Sequence, residues 1–487
     1  MKTLSDIVYR TSLQEIRGNL GQEVGDFHFD SRAVGPGDLF VARKGATVDG
    51  HDYIAAAVAA GAIAVVCETI PEEAAEGVTW IRVKDSVQAL AIVAANFYDN
   101  PADRLDIVGV TGTNGKTTVT SLLHRLFTNL GHPSGLIGTV AVKIGEDEVE
   151  AKMTTPDPKQ LHGMFRRMVD AGCTNCFIEV SSHALVQGRV AGIRFAAAVF
   201  TNITHDHLDY HGTFAEYIKA KKLLFDGLHH SAFALTNADD KNGQVMLQNT
   251  KAEKYTYGIK RIGDYKGRIV ENTFEGMLLN LNGQELWCRL IGHFNAYNLL
   301  AVYGVAIEMG LDEEGVLLEL SSIEGVDGRF QAIYSDKERI TAIVDYAHTP
   351  DALKNVLQTI RDISQGSRVI TVVGCGGNRD KAKRPQMAEI ATKMSDHVIL
   401  TSDNPRDEDP RTIIDEMLAG VPVHAQRRVF VKEDRAEAIE KACEMATPDD
   451  IILVAGKGHE TYQEIKGERP HFDDREVLKA KFTKLNK

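Results

Sequence analysis

No stretch of this 487-residue chain is apolar for long enough to cross a bilayer. The longest apolar run, residues 55–67, is Ala-rich and broken by Gly61, and reads as a helix, a turn and a buried strand. The first residues, Met1-Lys2-Thr3-Leu4-Ser5-Asp6, lack the apolar core of a signal peptide. Cysteine is scarce: Cys67, Cys173, Cys176, Cys288, Cys375 and Cys443 are too few for a disulfide framework in a chain of this size, which fits a reducing cytoplasm. Cys173 and Cys176 form a lone Cys-x-x-Cys with no second pair and lead into an apolar stretch, so they read as core rather than as a redox or zinc motif. Basic residues are in deficit, 55 Lys and Arg against 68 Asp and Glu, for a net charge of −13. That balance argues against a nucleic-acid partner, although an acidic protein still binds anions where basic groups and backbone N–H groups are concentrated.

What is present is a repeated α/β grammar. The length suggests about three domains. An Ala-rich helical segment over 87–98 ends at Asp99-Asn100-Pro101, where the proline biases Asn100 away from helix. From Asp106 a compact apolar strand (107–110), a glycine turn and an amphipathic helix follow. The helix has Val119, Leu122, Leu123, Leu126, Phe127 and Leu130 three and four apart and Gly131 at its end. The pattern pauses near 325–329. Strands expected at 340–344, 368–373, 397–401 and 451–455 then alternate with helices at 350–363, 384–394 and 435–446, which predicts a second doubly wound sheet. The expected division is 1–105, 106–331 and 332–487.

Between that first strand and helix lies Thr111-Gly112-Thr113-Asn114-Gly115-Lys116-Thr117-Thr118. Glycines turn backbone N–H groups onto phosphate oxygens, the helix N-terminus adds partial positive charge, Lys116 reaches the terminal phosphates and Thr117 offers a hydroxyl to Mg²⁺. The general P-loop wants glycine six residues before the lysine, where Val110 stands. Order of strand, loop and helix nevertheless predicts nucleotide binding.

This variant resembles the loop of the Mur ligase superfamily, which includes folylpolyglutamate synthetases. Glu179-Val180-Ser181-Ser182-His183, the segment Thr201-Asn202-Ile203-Thr204-His205-Asp206-His207-Leu208-Asp209, His293-Phe294-Asn295-Ala296-Tyr297-Asn298 and Asp345-Tyr346-Ala347-His348-Thr349-Pro350 match its motifs in order. The likeness runs from Asp30-Ser31-Arg32 to Gly456-Lys457-Gly458-His459-Glu460 and is strongest to members that add a third amino acid to the cell-wall peptide. It implies three α/β domains: an N-terminal uridine-nucleotide-binding domain, a central P-loop ATPase-like parallel-sheet domain and a C-terminal Rossmann-like domain. It implies an ATP- and Mg²⁺-dependent ligase that joins meso-diaminopimelate to the D-Glu γ-carboxylate of UDP-MurNAc-L-Ala-D-Glu through an acyl phosphate. A cytoplasmic monomer without membrane insertion is expected. A lysine-adding ligase, a folylpolyglutamate synthetase and a P-loop ATPase that merely binds UDP-sugars are the competing readings.

By the same resemblance, ATP is held by Gly112, Thr113, Asn114, Gly115, Lys116, Thr117, Thr118, Asn298 and Asp345, and metal by Thr117, Glu179, His207 and a carbamylated Lys221. Unaided, the His205–His207–His211 loop reads as polar loop or zinc cluster, and Lys221 in Tyr217-Ile218-Lys219-Ala220-Lys221-Lys222 as a solvated helix face. The UDP-muropeptide falls to Ser31, Ala46, Thr47, Val48, Thr154, Thr155, Ser181, Gln187 and Arg189; the alternative for Arg189 is a surface ion pair. Meso-diaminopimelate falls to Arg379, Asp403, Asn404, Pro405, Arg406, Gly456 and Glu460. Asp403-Asn404-Pro405-Arg406 otherwise reads as an Asn-Pro turn. Lysine-adding relatives lack this arginine, which suits the additional carboxylate of meso-diaminopimelate.

Overall fold

The computed structural model describes residues 2–45, 48–151, 153–335, 337–364 and 366–487. Ala46 and Thr47, two of the expected muropeptide contacts, lie outside the described residues. Three large sheets follow one another along the chain. The first has five strands in the order Leu13–Arg17, Thr79–Val83, Ala64–Cys67, Leu39–Val41 and Phe27–His28, parallel except at the Leu13–Arg17 edge. Asn100, at φ 51°, turns the chain out of helix Ser86–Phe97, and Pro101 opens the 3-10 turn Pro101–Arg104. Asparagine tolerates this left-handed conformation because its short amide bonds locally.

The second sheet has eleven strands. At its centre Asp106–Thr111 lies between Asn175–Glu179 and Ala197–Phe200, parallel to both. The strand order reverses there, and in open α/β sheets a crevice opens at the carboxyl ends of such strands. One edge continues through Ser134–Ile137 into the hairpin Ala141–Ile144 and Asp147–Glu150. The other runs through Phe233–Asn237 and Glu253–Gly258 into an antiparallel ribbon, Tyr265–Asn272, Met277–Leu281 and Gln284–Cys288. This ribbon carries alternating buried residues, Met277, Leu279 and Leu281, which pack on helix His293–Glu308. Sequence periodicity did not single out the ribbon. Separate hydrophobic clusters cover the two faces of the sheet.

The third sheet orders Gln331–Tyr334, Thr341–Asp345, Ile451–Ala455, Val369–Cys375, His397–Ser402 and Val429–Val431, parallel except at the first strand. The expected βα alternation is present, with strand and helix limits within a residue or two of those read from the sequence. Helix Pro350–Ile363 shows why: Thr349 caps it, proline takes the first position, and Leu353, Val356, Leu357, Ile360 and Ile363 form one buried stripe. Each such side chain contributes roughly 1.5–3 kcal/mol. Helix Asp474–Leu485, unmarked in the sequence reading, closes the opposite face through Leu478 and Phe482.

Candidate active site

The phosphate loop is cramped by design. A Cβ at Gly112 would lie 1.9 Å from the Thr201 hydroxyl, and one at Gly115 2.5 Å from Asn298 Oδ1. Only glycine fits at either position. The next strand's end braces the loop: Thr113 N donates to Asn202 O at 2.8 Å, Asn114 N to Asn202 Oδ1 at 3.0 Å, and the Thr201 hydroxyl to Asn114 O at 2.6 Å. Thr117 and Thr118 are buried in the first turn of helix Lys116–Asn129. Asn298 is steered by its own bond to Asn295 Oδ1, 3.0 Å.

Two lysines meet at this loop. Lys116 Nζ donates to Gly112 O and Thr113 O, both at 2.9 Å, and Lys221 Nζ to the same Gly112 O at 2.8 Å. Lys221 is only 1% exposed, 4.6 Å above the Tyr217 ring. It therefore faces the interior of its helix, not solvent. Burial and then the Lys116 charge hold its ammonium well below the usual lysine range. No carboxylate pairs with it among the described residues.

Glu179 ends strand Asn175–Glu179 fully buried. Thr139 holds it, donating its N–H to Oε1 at 2.7 Å and its hydroxyl to Oε2 at 3.0 Å. The Thr139 hydroxyl also lies 3.1 Å from that of Thr154. Thr155 donates to Glu179 O at 2.8 Å and accepts from Ser181 N at 3.1 Å. Arg189 anchors on Gln187 Oε1 at 2.7 and 3.0 Å and on Thr155 O at 2.7 Å. It is no surface ion pair. Thr154, Thr155, Ser181, Gln187 and Arg189 thus converge beside Glu179.

His207 sits at φ 54° at the start of the short helix Leu208–His211, its ring 4.8 Å from that of His183. Partial desolvation lowers its pKa against the pull of Asp206, whose Oδ2 lies 3.4 Å from its Nε2, a direction that favours the neutral imidazole a metal takes. Strand register sets Glu179 opposite Val110 at the entry to the loop, and Tyr217, whose hydroxyl lies 3.1 Å from that of Thr113, has its ring 4.6 Å from Lys221 Nζ and 6.2 Å from the His207 ring. These groups share one cleft. Among the described residues no three His, Cys, Asp or Glu side chains are arranged to hold a metal by themselves. A zinc cluster in the histidine loop is therefore absent among them.

Arg329, His348 and Asp351, which the sequence reading did not assign, face this cleft beside the expected Asn114 and Asp345. Arg329 donates to the Thr117 hydroxyl at 3.1 Å and lies 4.6 Å over the Tyr346 ring, while its buried Nε has no hydrogen-bond partner among the described residues. His348 is exposed to the cleft, its Nδ1 2.9 Å from Tyr346 O and its ring edge-on 4.7 Å from the Tyr346 ring. Asp345 accepts from Phe330 N at 2.7 Å, and burial pushes it up to about 6 despite Arg329. Asn114 Nδ2 crosses to Asp351 Oδ2 at 3.1 Å beside a cavity of about 180 Å³ lined by Thr204, Asp206, Thr349 and Lys383. Arg329 is a single arginine in a glycine-rich pause, and its reach to Thr117 and its orphaned Nε are visible only in three dimensions.

A second charged cluster lies at the carboxyl edge of the third sheet. Asp403 Oδ2 is buried without a hydrogen-bond partner, and a Cβ at Gly456 would meet it at 2.4 Å. Lys457, fully buried, donates to Asn404 Oδ1 at 3.1 Å and Glu460 Oε2 at 2.8 Å; Asn404 Nδ2 donates to the same Oε2 at 2.8 Å. Arg406, at φ 53°, donates to Gly377 O at 2.9 Å and faces Glu464 at 3.4 Å. Pro405 joins these residues, and Arg379 stands exposed at the rim. The Asp403–Arg406 segment is thus part of a buried, hydrogen-bonded charged cluster, more than a turn. Ser31 and Val48 belong to the first domain: Ser31 opens the 3-10 turn Ser31–Ala33, and Val48 is exposed on the loop where Val48 O accepts from Gly45 N at 3.0 Å. Neither reaches the phosphate loop through a side-chain hydrogen bond among the described residues.

Three family models match the chain: Mur ligase family, catalytic domain, over 27–98; Mur ligase middle domain over 110–306; and Mur ligase, glutamate ligase domain, over 328–458. Similar chains include UDP-N-acetylmuramoyl-L-alanyl-D-glutamate–2,6-diaminopimelate ligases of Cytophaga hutchinsonii, 54% identical over 99% of this chain and 100% of the relative, and of Phocaeicola vulgatus, 53% identical over 98% and 99%. A solved ligase of the same description is 34% identical with a TM-score of 0.70, covering 100% of this chain and 99% of that one. MurF from Thermotoga maritima in complex with ADP, 19% identical with a TM-score of 0.62 over 94% of this chain and 97% of its own, shares the fold. With such identity over its whole length, the chain belongs to the Mur ligase family.

Proposed function

We propose that this chain is an ATP-dependent ligase that joins meso-diaminopimelate to the D-Glu γ-carboxylate of UDP-MurNAc-L-Ala-D-Glu, giving ADP and phosphate, in the cytoplasmic synthesis of cell-wall precursors. Relatives more than half identical over nearly the full length carry that description, which supports the reaction and both substrates. The observation that carries the reading is the shared cleft of Lys116, Glu179, His207 and Lys221, with a charged cluster at the carboxyl edge of the third sheet. Residues 1–105 serve the uridine nucleotide, 106–331 the ATP and 332–487 the amino acid, and the protein works as a monomer.

The donor set suits magnesium. Glu179 and the Thr117 hydroxyl are hard oxygens near the phosphate loop, His207 favours its neutral form, and a site with few protein ligands is the kind Mg²⁺ completes with phosphate oxygens. Mg²⁺ bound there neutralises charge that develops as the γ-phosphoryl group moves. Lys221 is built to become a ligand: burial and the Lys116 charge disfavour its ammonium and so favour the free amine, which adds CO₂ with loss of a proton, and the carbamate puts anionic oxygens where an ammonium is repelled. Gly112, Thr113, Asn114, Gly115, Thr117 and Thr118 cradle the phosphates, with Asn298 and Asp345 toward the rest of the nucleotide. Thr154, Thr155, Ser181, Gln187 and Arg189 hold the peptide end, so that its γ-carboxylate attacks phosphorus. The amine, held by Arg379, Asp403, Asn404, Arg406, Gly456 and Glu460, then attacks the acyl phosphate, and phosphate leaves.

Phosphate release from ATP and Mg²⁺ with UDP-MurNAc-L-Ala-D-Glu is the test. Release that needs both the dipeptide nucleotide and meso-diaminopimelate is expected. Equal release with L-lysine overturns the amino-acid assignment, and release without an amino acid returns the chain to a UDP-sugar-binding ATPase.

A further inference from the structure

Arginines buried in this chain are normally given partners of opposite charge. Arg384 has Glu408 at 2.8 Å and Glu416 at 2.6 Å, and Arg435 has Asp474 at 2.8 Å. Arg43 is different. It follows strand Leu39–Val41 at the carboxyl edge of the first sheet, where its backbone is pinned: Gly50 N donates to Arg43 O at 2.9 Å, and a Cβ at Gly50 would press on that carbonyl at 2.7 Å. The side chain is half-buried, yet its Nε, shut off from solvent, has no hydrogen-bond partner among the described residues. An orphaned Nε does not by itself mark a site, since that of the paired Arg384 is orphaned too; what sets Arg43 apart is that no carboxylate pairs with it among the described residues, which leaves its terminal N–H groups for an anion.

Its surroundings deepen the anomaly. Arg189 is a neighbour across the domain boundary: Lys44 N donates to the Ser86 hydroxyl at 3.0 Å, Val87 packs on Gly188, where a Cβ would lie 2.4 Å from Val87 Cγ1, and the Arg189 charge works with burial against the Arg43 guanidinium. Arg189 is itself half-buried, and both arginines sense Asp157 and Tyr210. Asp157 is already engaged as the cap of helix Pro158–Asp170, accepting from Gln160 N at 3.0 Å. Two guanidiniums, one from each of the first two domains, therefore face one cleft with one shared, partly committed carboxylate. Positive charge is in excess exactly where the cleft meets the Thr155–Gln187–Arg189 group.

We propose that Arg43 is a substrate-binding residue: with Arg189 it takes one acidic group of the UDP-linked peptide, a carboxylate or a phosphate, between the first two domains. A planar guanidinium fork suits either group, and two forks from different domains make the anion a bridge that draws the domains together. The inference rests on the muropeptide reading above and assigns a contact that reading does not contain.

Calorimetric titration of the whole chain tests it. Arg43→Met is expected to weaken UDP-MurNAc-L-Ala-D-Glu binding about tenfold or more, with Arg43→Lys intermediate, and to leave ATP binding and the melting temperature unchanged. UDP titrated alone separates the two sources of charge: an equal loss points to a phosphate, an unchanged UDP affinity to a peptide carboxylate. A dipeptide-nucleotide affinity within twofold of the wild type overturns the proposal, as does a parallel loss of ATP binding, which marks a general packing defect. Should Arg43→Met fail to fold, Arg43→Gln is measured the same way, and failure of both to fold assigns Arg43 to the fold and ends the proposal. Wild-type protein that binds no dipeptide nucleotide sinks the muropeptide reading instead.

Discussion

The central cleft and the third domain treat buried charge in opposite ways. In the third domain, outside the residues assigned to the amino acid, the chain supplies both signs: Arg435 lies against Asp474 with two bonds of 2.8 Å, and Arg384 between Glu408 and Glu416. Around the phosphate loop, Lys116 and Lys221 lean on one carbonyl, and Arg329 on a hydroxyl. Backbone dipoles are weak substitutes for a counter-ion, so this cationic set is held for an anion that arrives with the nucleotide. Paired charge marks structure and unpaired charge marks a site. Mutations should separate the two.

The sharpest break is at Lys221. Lys221→Ala is expected to lower phosphate release by about a thousandfold, in the range set by losing a group that stabilises transferring charge, with partial recovery on adding a short carboxylate. Because the ammonium has no anionic partner, its removal should leave the melting temperature equal or higher. Full activity in this variant removes the carbamate from the mechanism. Arg435→Met is the opposite case. Stripping one partner from a fully buried pair leaves Asp474 uncompensated and should cost about 3–5 kcal/mol in chemical denaturation. A loss below about 1 kcal/mol would mean that the pair is as dispensable as a surface one.

Asp345 reverses the sign: it is a buried anion with Arg329 as its opposing charge, and burial raises it from 3.8 to about 6. A raised carboxylate favours the protonated fold. Its penalty is absent below the unfolded value, grows as pH rises from 3.8 to about 6, and is constant above, reaching roughly 3 kcal/mol. Asp345→Asn should therefore match the wild type in stability near pH 4 and exceed it above pH 7, while losing activity. Identical pH–stability curves for the two proteins rule this out.

The comparison also explains what the sequence reveals. Gly112 and Gly115 are legible because close backbone approach leaves glycine no substitute, and helix Pro350–Ile363 because cap, proline and apolar stripe agree. Lys221 is illegible without a family to compare: Lys219, Lys221 and Lys222 look alike in sequence, yet Lys219 pairs with Glu216 on the surface while Lys221 is buried. Arg43, Thr139 and Arg329 carry no local pattern, since what defines each is a partner, or a missing partner, far away in the chain. Helix Asp474–Leu485 and the ribbon of residues 265–288 escaped for the reverse reason: their burial is decided by the surface they meet.

Arg406 tests the border between the two regimes, because it has both a structural partner and a free edge. Its guanidinium touches Gly377 O and Glu464, and its backbone is clamped by Arg406 N to Glu464 O at 3.0 Å and Lys466 N to Arg406 O at 2.8 Å. The backbone bonds survive any side chain, so Arg406→Lys should fold normally. The lysine keeps the charge but gives up the fork that binds a carboxylate with two parallel bonds. KM for meso-diaminopimelate is expected to rise about tenfold, with KM for ATP unchanged, the scale of one charge-assisted bond lost. Since Glu464 neutralises part of Arg406 in the free protein, Glu464→Gln should shift the same KM in the opposite direction and by less. Equal shifts from both substitutions would mean that Glu464 orients the guanidinium more than it competes with the substrate for it.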